Sequence, residues 1–151
     1  MQEEGWNAGA RIVEYQSSTR AAKGTPYCAS GVHWAFRQCG KVIEPHWEFA
    51  AAARWAREHE VFRKGQLDMY QHIDLGHEFQ RISQNSDVFT LYYAKLKRVG
   101  HVGIIVGEDE DYLTTVEWNT NAEGAREGGG VWMRKRSKDA IHSVNRWVTN
   151  N

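Results

Sequence analysis

The chain has 151 residues, 41% hydrophobic and 25% charged, a composition that fits one soluble globular domain over residues 1–151 and excludes a disordered chain. Lysine plus arginine and aspartate plus glutamate both total 19, so the formal net charge is zero. A nucleic-acid binder would normally show a basic excess, so we expect no nucleic-acid partner. We also expect the protein to be a monomer.

The N-terminus, MQEEGWNAGARIV, has neither the basic segment nor the continuous apolar segment of a signal peptide. The chain also has no apolar run long enough to span a membrane. We therefore expect a soluble protein made in the cytosol. It would reach another compartment through lysis, a dedicated secretion machine or a leader outside this sequence.

Helices are predicted in the first half of the chain. They span Ala8 to Ser18, Cys28 to Gln38, and the segment EPHWEFAAAARWAREHEVF, which Pro45 starts. Asn7 is the predicted cap of the first helix, and Gly40 is the predicted stop of the second. Trp47 and Trp55 are eight residues apart and are predicted to share one face of the third helix, packed in the core, with a substrate-groove wall as the alternative. The segment 64–85 shows no clean periodicity and is predicted to be irregular, with room for a short helix.

Strands are predicted after Asn85, where the apolar pattern changes to a period near two. The segments are DVFTLYYAKL, HVGIIV, YLTTVEW and VWMRKR, all rich in β-branched and aromatic residues. Helices followed by an antiparallel meander are typical of an α+β domain, with N-terminal helices packed on a C-terminal antiparallel sheet.

Cys28 is predicted to be the first residue of a helix, where the helix dipole and free N–H groups lower the pKa of a thiol. Cys39 lies about 16 Å further along the same helix at ~1.5 Å per residue, so a disulfide between the two cysteines is excluded. Cys39 is predicted to point into the core. A buried, inert Cys28 is the alternative interpretation, so the case for a nucleophile depends on its partners.

His101 is the best candidate partner. If GEDED forms a five-residue loop, His101 lies directly opposite Glu117 in an antiparallel pair, with their Cβ atoms about 5 Å apart on one sheet face. A carboxylate beside an imidazole holds its tautomer and stabilises the imidazolium. Asn119 lies two residues further on the same face and is an alternative orienting residue. A solvated surface pair of His101 and Glu117 is the competing interpretation.

The segments YCASGVHWAF, GHVGIIV and VEWNTN resemble the motifs of the CHAP-type cysteine, histidine-dependent amidohydrolases/peptidases. The resemblance extends over most of the chain. It implies a papain-like α+β fold and cleavage of amide bonds in peptidoglycan. By the same resemblance, Cys28 is the nucleophile, His101 the general base, Glu117 the orienting acid, and Asn119 a further polar position.

Two departures from the family pattern stand near these motifs. NSDV replaces a usual PGDV, and Trp118 occupies a position where glycine is common, so Trp118 is predicted to narrow the groove beside Glu117 and to affect substrate choice. The Cys28 backbone N–H is a predicted oxyanion donor. The Tyr27 hydroxyl is a second candidate donor, with a packing role as the alternative.

Other polar segments carry weaker signals. His72 and His77 are spaced by five, which does not place both rings on one helix face, so we expect neither a metal site nor a cofactor. GAREGGG, from Gly124 to Gly130, is interpreted as a loop at the rim of an active-site cleft. RKRSK is interpreted as a solvated strand end.

The predicted function is a cysteine amidase that cleaves either the bond between muramic acid and L-alanine or a bond in the stem or cross-link peptide. The expected partner is peptidoglycan, and the expected site of action is the bacterial wall, in the periplasm or outside the cell. A phage lysin, a delivered toxin and a housekeeping hydrolase remain open, and an inhibitor protein cannot be inferred. The alternative is a catalytically silent wall-binding or structural domain with the same fold.

Overall fold

The architecture follows from a computed structural model that describes residues 7–65, 81–120 and 129–149. The regular elements within these ranges are α1 (Ala10–Ser18), α2 (Cys28–Gln38), β1 (Glu60–Arg63), β2 (Val88–Tyr93), β3 (Arg98–Glu108), β4 (Tyr112–Thr120), β5 (Gly130–Ser137) and β6 (Ser143–Asn145). Short 3₁₀ segments occupy His46–Ala50, Ala52–Ala56, Ala94–Leu96 and Lys138–Ala140. Helices come first and most of the sheet comes second, so the predicted α+β class is confirmed.

The strands form one sheet with the order β1-β6-β2-β3-β4-β5, and every described pair is antiparallel. Strands β2 to β5 are the predicted meander. Strand β6 returns to pair with β2, and β1 pairs with β6. The sequence-based prediction lacked both of these strands. A three-residue strand such as β6 is too short to show a period-two pattern, and β1 overlaps the end of the segment predicted as the third helix.

Two clusters of buried apolar side chains lie on opposite faces of the sheet. The first joins the helices to the sheet and includes Val32 of α2, Val102 of β3 and Trp118 of β4. The second includes Leu91 of β2 and Ile105 of β3. Val102 and Ile105 are three residues apart in the same strand, so their side chains point to opposite faces.

Helix α2 packs closely against β4 through Gly31. A Cβ atom added at Gly31 would overlap the indole ring of Trp118. Glycine is therefore required at this position because the ring occupies the space that any other side chain would need. The contact sets the distance between α2 and the sheet, and with it the position of Cys28 at the start of the helix.

Helix α2 has the predicted bounds, and Gly40 has the left-handed φ of 74° that suits the position after a helix end. Cys39 is exposed, so the prediction that it points into the core is wrong. It occupies the C-cap position of α2, where the chain has already left the buried side of the helix.

Helix α1 begins two residues later than predicted, and Asn7 is not its cap. The N-cap is Gly9, whose φ of 122° suits glycine. Asn7 is buried, and its Nδ2 donates to the carbonyl oxygen of Gly24 at 3.3 Å. The side chain therefore joins the start of the chain to the loop before α2.

The third predicted helix is wrong. The segment forms two 3₁₀ segments separated by Ala51, whose φ of −97° and ψ of 125° are extended. Trp55 Nε1 donates to the Phe49 carbonyl oxygen at 3.2 Å, an acceptor that an α-helix would use for its own backbone. Trp55 is buried, whereas Trp47 is 57% exposed, so the two tryptophans do not share a core face.

Candidate active site

Cys28 is the first residue of α2 and is only 5% exposed. Burial is the strongest influence on its thiol and raises the pKa. The adjacent His101 ring acts in the opposite direction, together with the backbone groups of Ala29 and Val102. These neighbours outweigh burial, so the pKa of Cys28 is lowered from its ordinary value. The site therefore favours a thiolate.

His101 lies in β3 with its side chain fully buried. Its Nε2 is 2.7 Å from Oε2 of Glu117. An ionised carboxylate only accepts, so Nε2 carries the hydrogen and Nδ1 is the nitrogen left to interact with Cys28. Within the described ranges Nδ1 makes no hydrogen bond of standard geometry. The thiol is nevertheless near enough to shift the His101 pKa, so the two groups are adjacent without a closed hydrogen bond, as is common before substrate binds.

The two pKa shifts of Cys28 and His101 are complementary. Burial by itself would lower the pKa of His101, but the neighbouring Cys28 and then Glu117 raise it to about 9. The Cys28 thiol becomes a stronger acid and the His101 imidazole a stronger base, so the two groups titrate as a coupled pair. Both shifts act in the same direction, in favour of a thiolate–imidazolium pair over the neutral thiol and imidazole.

Glu117 is fully buried and accepts hydrogen bonds at both carboxylate oxygens. Oε1 accepts from Thr115 Oγ1 at 2.6 Å and from Arg136 Nε at 2.8 Å. Oε2 accepts from His101 Nε2 at 2.7 Å and from Arg136 Nη2 at 2.6 Å. Burial raises the pKa of a carboxyl, but Arg136 and then His101 outweigh it and lower the pKa of Glu117 to about 2. The Glu117 carboxyl group is therefore ionised in the folded protein near neutral pH.

The predicted register between β3 and β4 is wrong by two residues. Gly103, not His101, lies opposite Glu117. Strand β3 continues to Glu108 and β4 begins at Tyr112, so residues 109–111 connect the strands in place of the predicted five-residue loop. A bulge at Val106 also shifts the pairing. A shift of two residues preserves the alternation of side chains, so His101 and Glu117 still share a face and meet diagonally.

Gly103 makes room for that diagonal contact. A Cβ atom at this position would lie 2.6 Å from Phe89 Cε1 and 3.0 Å from Glu117 Cγ. The missing side chain leaves the space through which the Glu117 carboxylate reaches the His101 ring. The glycine two residues after the histidine therefore has a packing reason that does not depend on any family resemblance.

Asn119 is buried and has a left-handed φ of 56°. The register between β4 and β5 shifts between Trp118 and Thr120, so strict alternation does not hold at this residue. Among the described contacts, Glu117 rather than Asn119 makes the hydrogen bond to His101. The orienting contact that the sequence left open between the two residues is therefore made by Glu117.

Tyr27, the residue before α2, is completely buried. Its ring stacks on Tyr15 of α1, with centroids 6.0 Å apart and planes at 22°. This placement gives Tyr27 the packing role that was one of its two predicted roles. A contribution of its hydroxyl to an oxyanion site stays a prediction.

The Trp118 side chain points to the opposite face of the sheet from the Glu117 side chain. Neighbouring strand residues point to opposite faces, and the Trp118 ring covers Gly31 and packs edge-on against Tyr15 at 6.3 Å. The side chain is 5% exposed and belongs to the core under α2. This placement gives the ring a packing role in the buried cluster that also contains Cys28, and an effect of Trp118 on substrate choice stays a prediction.

Two residues of the site, Thr115 and Arg136, were not identified from the sequence. Thr115 lies two residues before Glu117, so period two places it on the same face, and that signal was available. Arg136 lies in RKRSK, interpreted as a solvated strand end, yet its side chain is only 14% exposed. Only the pairing of β4 with β5 indicates that one of these basic residues faces inward.

In ranges 7–65, 81–120 and 129–149, no group of three or more His, Cys, Asp or Glu residues is arranged to hold a metal ion. His72 and His77 lie outside those ranges, and so do residues 124–128 of the predicted rim loop. None of the helices described is long and apolar enough to cross a membrane.

Comparison with family models, curated proteins and solved structures finds no match for this chain. A thiol with a lowered pKa, an imidazole that holds its proton and a buried ionised carboxylate together supply a nucleophile, a proton donor and an orienting group.

Proposed function

We propose that this protein is a papain-like cysteine amidohydrolase that cleaves an amide bond in bacterial peptidoglycan. The observation that carries the proposal is the chain of contacts from the Cys28 thiol through His101 to Glu117, with a 2.7 Å hydrogen bond at its second link. Surface pairs of histidine and glutamate are common, but this pair is completely buried beside a thiol. That combination is typical of nucleophilic catalysis.

Acylation begins from the thiolate–imidazolium pair. The Cys28 sulfur attacks the carbonyl carbon, a carbon–sulfur bond forms, and the carbonyl π electrons move to oxygen. Backbone N–H groups at the start of α2, including that of Cys28, stabilise the resulting oxyanion. His101 then gives its Nδ1 proton to the leaving nitrogen as the carbon–nitrogen bond breaks. The products of this step are an amine and a thioester on Cys28.

Deacylation uses the same groups in reverse order. Neutral His101 takes a proton from water at Nδ1, and the water oxygen attacks the thioester carbon. The carbon–sulfur bond breaks, a carboxylic acid leaves and loses its proton to solvent, and the thiolate–imidazolium pair is restored. Glu117 stays ionised throughout and holds Nε2, so the ring presents Nδ1 to sulfur and then to water.

The substrate class rests on the motif resemblance of YCASGVHWAF, GHVGIIV and VEWNTN. Either the bond between muramic acid and L-alanine or a bond in the stem or cross-link peptide fits an amidohydrolase of this type. The place of action is then the bacterial wall, which the protein reaches by lysis or delivery.

Digestion of purified cell walls tests the proposal. Wild-type protein is expected to lower the turbidity of wall suspensions, and Cys28→Ala to reduce the rate by about 10³-fold or more because the nucleophile is removed. Cys39→Ser is the matched control, since Cys39 is exposed at the far end of the same helix. Mass spectrometry of the released fragments identifies the bond that is cut.

The low exposure of Cys28 is the one observation that favours the alternative, a catalytically silent wall-binding or structural domain. Binding to walls by wild type and Cys28→Ala alike, with no fragments released by either, supports that alternative. Release of fragments by wild type alone excludes it.

A further inference from the structure

Arg136 forms a bidentate pair with the Glu117 carboxylate. Its Nε and Nη2 atoms each donate to a different oxygen of the carboxylate, at 2.8 and 2.6 Å. Bidentate pairing of this kind fixes the plane of a carboxylate as well as its position. The same carboxylate oxygen that accepts from Nη2 also accepts from His101, so the orientation of the His101 ring depends on this geometry.

We propose that Arg136 is a positioning residue of the active site, which orients the Glu117 carboxylate toward His101 and balances its negative charge. The inference rests on the proposed function, in which Cys28 is the nucleophile. Arg136 contacts neither the sulfur nor a substrate in this role. It acts through Glu117 on His101, and through His101 on Cys28.

A charge count shows why the arginine matters. The reactive state contains the thiolate, the imidazolium, the carboxylate and the guanidinium, which sum to zero. The groups that face this cluster come from α2 (Cys28), β3 (His101), β4 (Glu117) and β5 (Arg136), and Tyr93 of β2 lies near Arg136. Without Arg136 the cluster carries one net negative charge in a buried site, which favours uptake of a proton.

The pH dependence of Cys28 alkylation by iodoacetamide tests this role without requiring wall cleavage. The measurement is made in a Cys39→Ser background, so Cys28 is the reactive thiol, and it compares wild type, Arg136→Gln and Arg136→Lys. Lys135→Gln is the matched control, because Lys135 is the adjacent residue of β5, is 64% exposed and pairs with Asp109 instead. Circular dichroism verifies that each variant is folded.

Arg136→Gln is expected to move the acid limb of the alkylation profile up by about one pH unit, which is a tenfold smaller thiolate fraction on that limb. Arg136→Lys keeps the charge, so its limb should stay within about 0.3 pH units of wild type, but one ammonium cannot hold both oxygens. Its rate of wall hydrolysis should therefore fall several-fold. Lys135→Gln should match wild type in both measurements.

Three results overturn the inference: a folded Arg136→Gln with the wild-type profile, an Arg136→Lys with the wild-type hydrolysis rate, or the same limb shift in Lys135→Gln. If Arg136→Gln does not fold, the hydrolysis rate of Arg136→Lys tests the inference, because this variant retains the buried positive charge. The proposed function fails separately: wild type would then release no wall fragments, whereas the alkylation profiles would still report on Arg136.

Discussion

Burial is what gives the individual residues of this site their chemistry. Glu117 is completely enclosed, and a carboxylate in such a place is stable only when donors surround it. Arg136, Thr115 and His101 supply those donors, so the group stays ionised and its charge acts on His101 through a medium with little screening. The same three side chains on a solvated surface would affect one another far less.

The pH dependence of Cys28 reactivity follows from the shifts of its pair. The pKa of Cys28 is lowered and that of His101 is raised to about 9, so the thiolate–imidazolium pair exists above the first value and below the second. In Cys39→Ser protein, the alkylation rate of Cys28 should therefore fall less between pH 8 and pH 6.5 than the rate of an ordinary thiol does. An ordinary thiol of pKa about 8.5 loses more than tenfold over the same interval.

Rates at several pH values, measured by mass spectrometry of the alkylated protein, give this profile. His101→Ala removes the main cause of the lowered pKa and should convert the profile to that of an ordinary buried thiol. A wild-type rate that rises tenfold per pH unit between pH 6.5 and 8 would contradict the ion pair.

At the scale of elements, the hairpin of β3 and β4 determines whether the site exists. The bulge at Val106 and the two-residue change of register move the pairing partner of Glu117 to Gly103. The diagonal contact with His101 then needs an empty position between the strands, and Gly103 provides it. Gly103 therefore pairs with Glu117 in the sheet and also leaves the space in which Glu117 contacts His101.

Gly103→Ala tests this requirement. Its Cβ would crowd Phe89 Cε1 at 2.6 Å and Glu117 Cγ at 3.0 Å, so we expect a loss of stability of about 1–3 kcal/mol and a fall in wall hydrolysis as Glu117 is displaced. Gly107→Ala in the same strand is the matched control, since its Cβ would meet Thr114 Cβ at an ordinary 3.4 Å. Urea denaturation and turbidity assays measure the two effects. Equal effects of the two substitutions would contradict the explanation.

Local sequence patterns predicted the elements unevenly, and the failures have physical causes. Helix α2 has a clear start, a clear stop and an apolar face, and the structure has the predicted bounds. The alanine-rich segment after Pro45 has high helix propensity, yet it forms 3₁₀ segments in which Phe49 packs its ring against Trp147 and Trp55 packs its ring against Phe36. Tertiary packing overrides helix propensity, which differs among ordinary residues by less than about 1 kcal/mol per residue.

At the scale of the whole molecule, an aromatic cluster joins the 3₁₀ segments to the end of the chain. The Trp55 ring packs edge-on against Phe49 at 4.9 Å and against Trp147 at 5.6 Å. Trp147 Nε1 also donates to the Trp55 carbonyl oxygen at 3.0 Å. These contacts connect residues 92 positions apart in the sequence, so no local pattern could predict them.

Trp55→Ala should lower the free energy of unfolding by about 3–5 kcal/mol, because it removes a completely buried ring from this cluster. Trp47→Ala is the matched control of the same residue type, since Trp47 is 57% exposed, and should change stability by about 0.5 kcal/mol or less. Urea denaturation followed by circular dichroism compares them. Similar losses in the two variants would show that the aromatic cluster does not contribute as described.

The sequence by itself determined the α+β class, the start of α2 at Cys28 and the shared face of His101 and Glu117. Each depends on a local periodicity, and the period of two holds even when the register is misjudged by two residues. Only the tertiary structure decided that Glu117 rather than Asn119 binds His101, that Trp118 lies under α2, and that Arg136 faces inward. These depend on strand register, bulges and packing between distant segments, whose free energies are set by the whole fold.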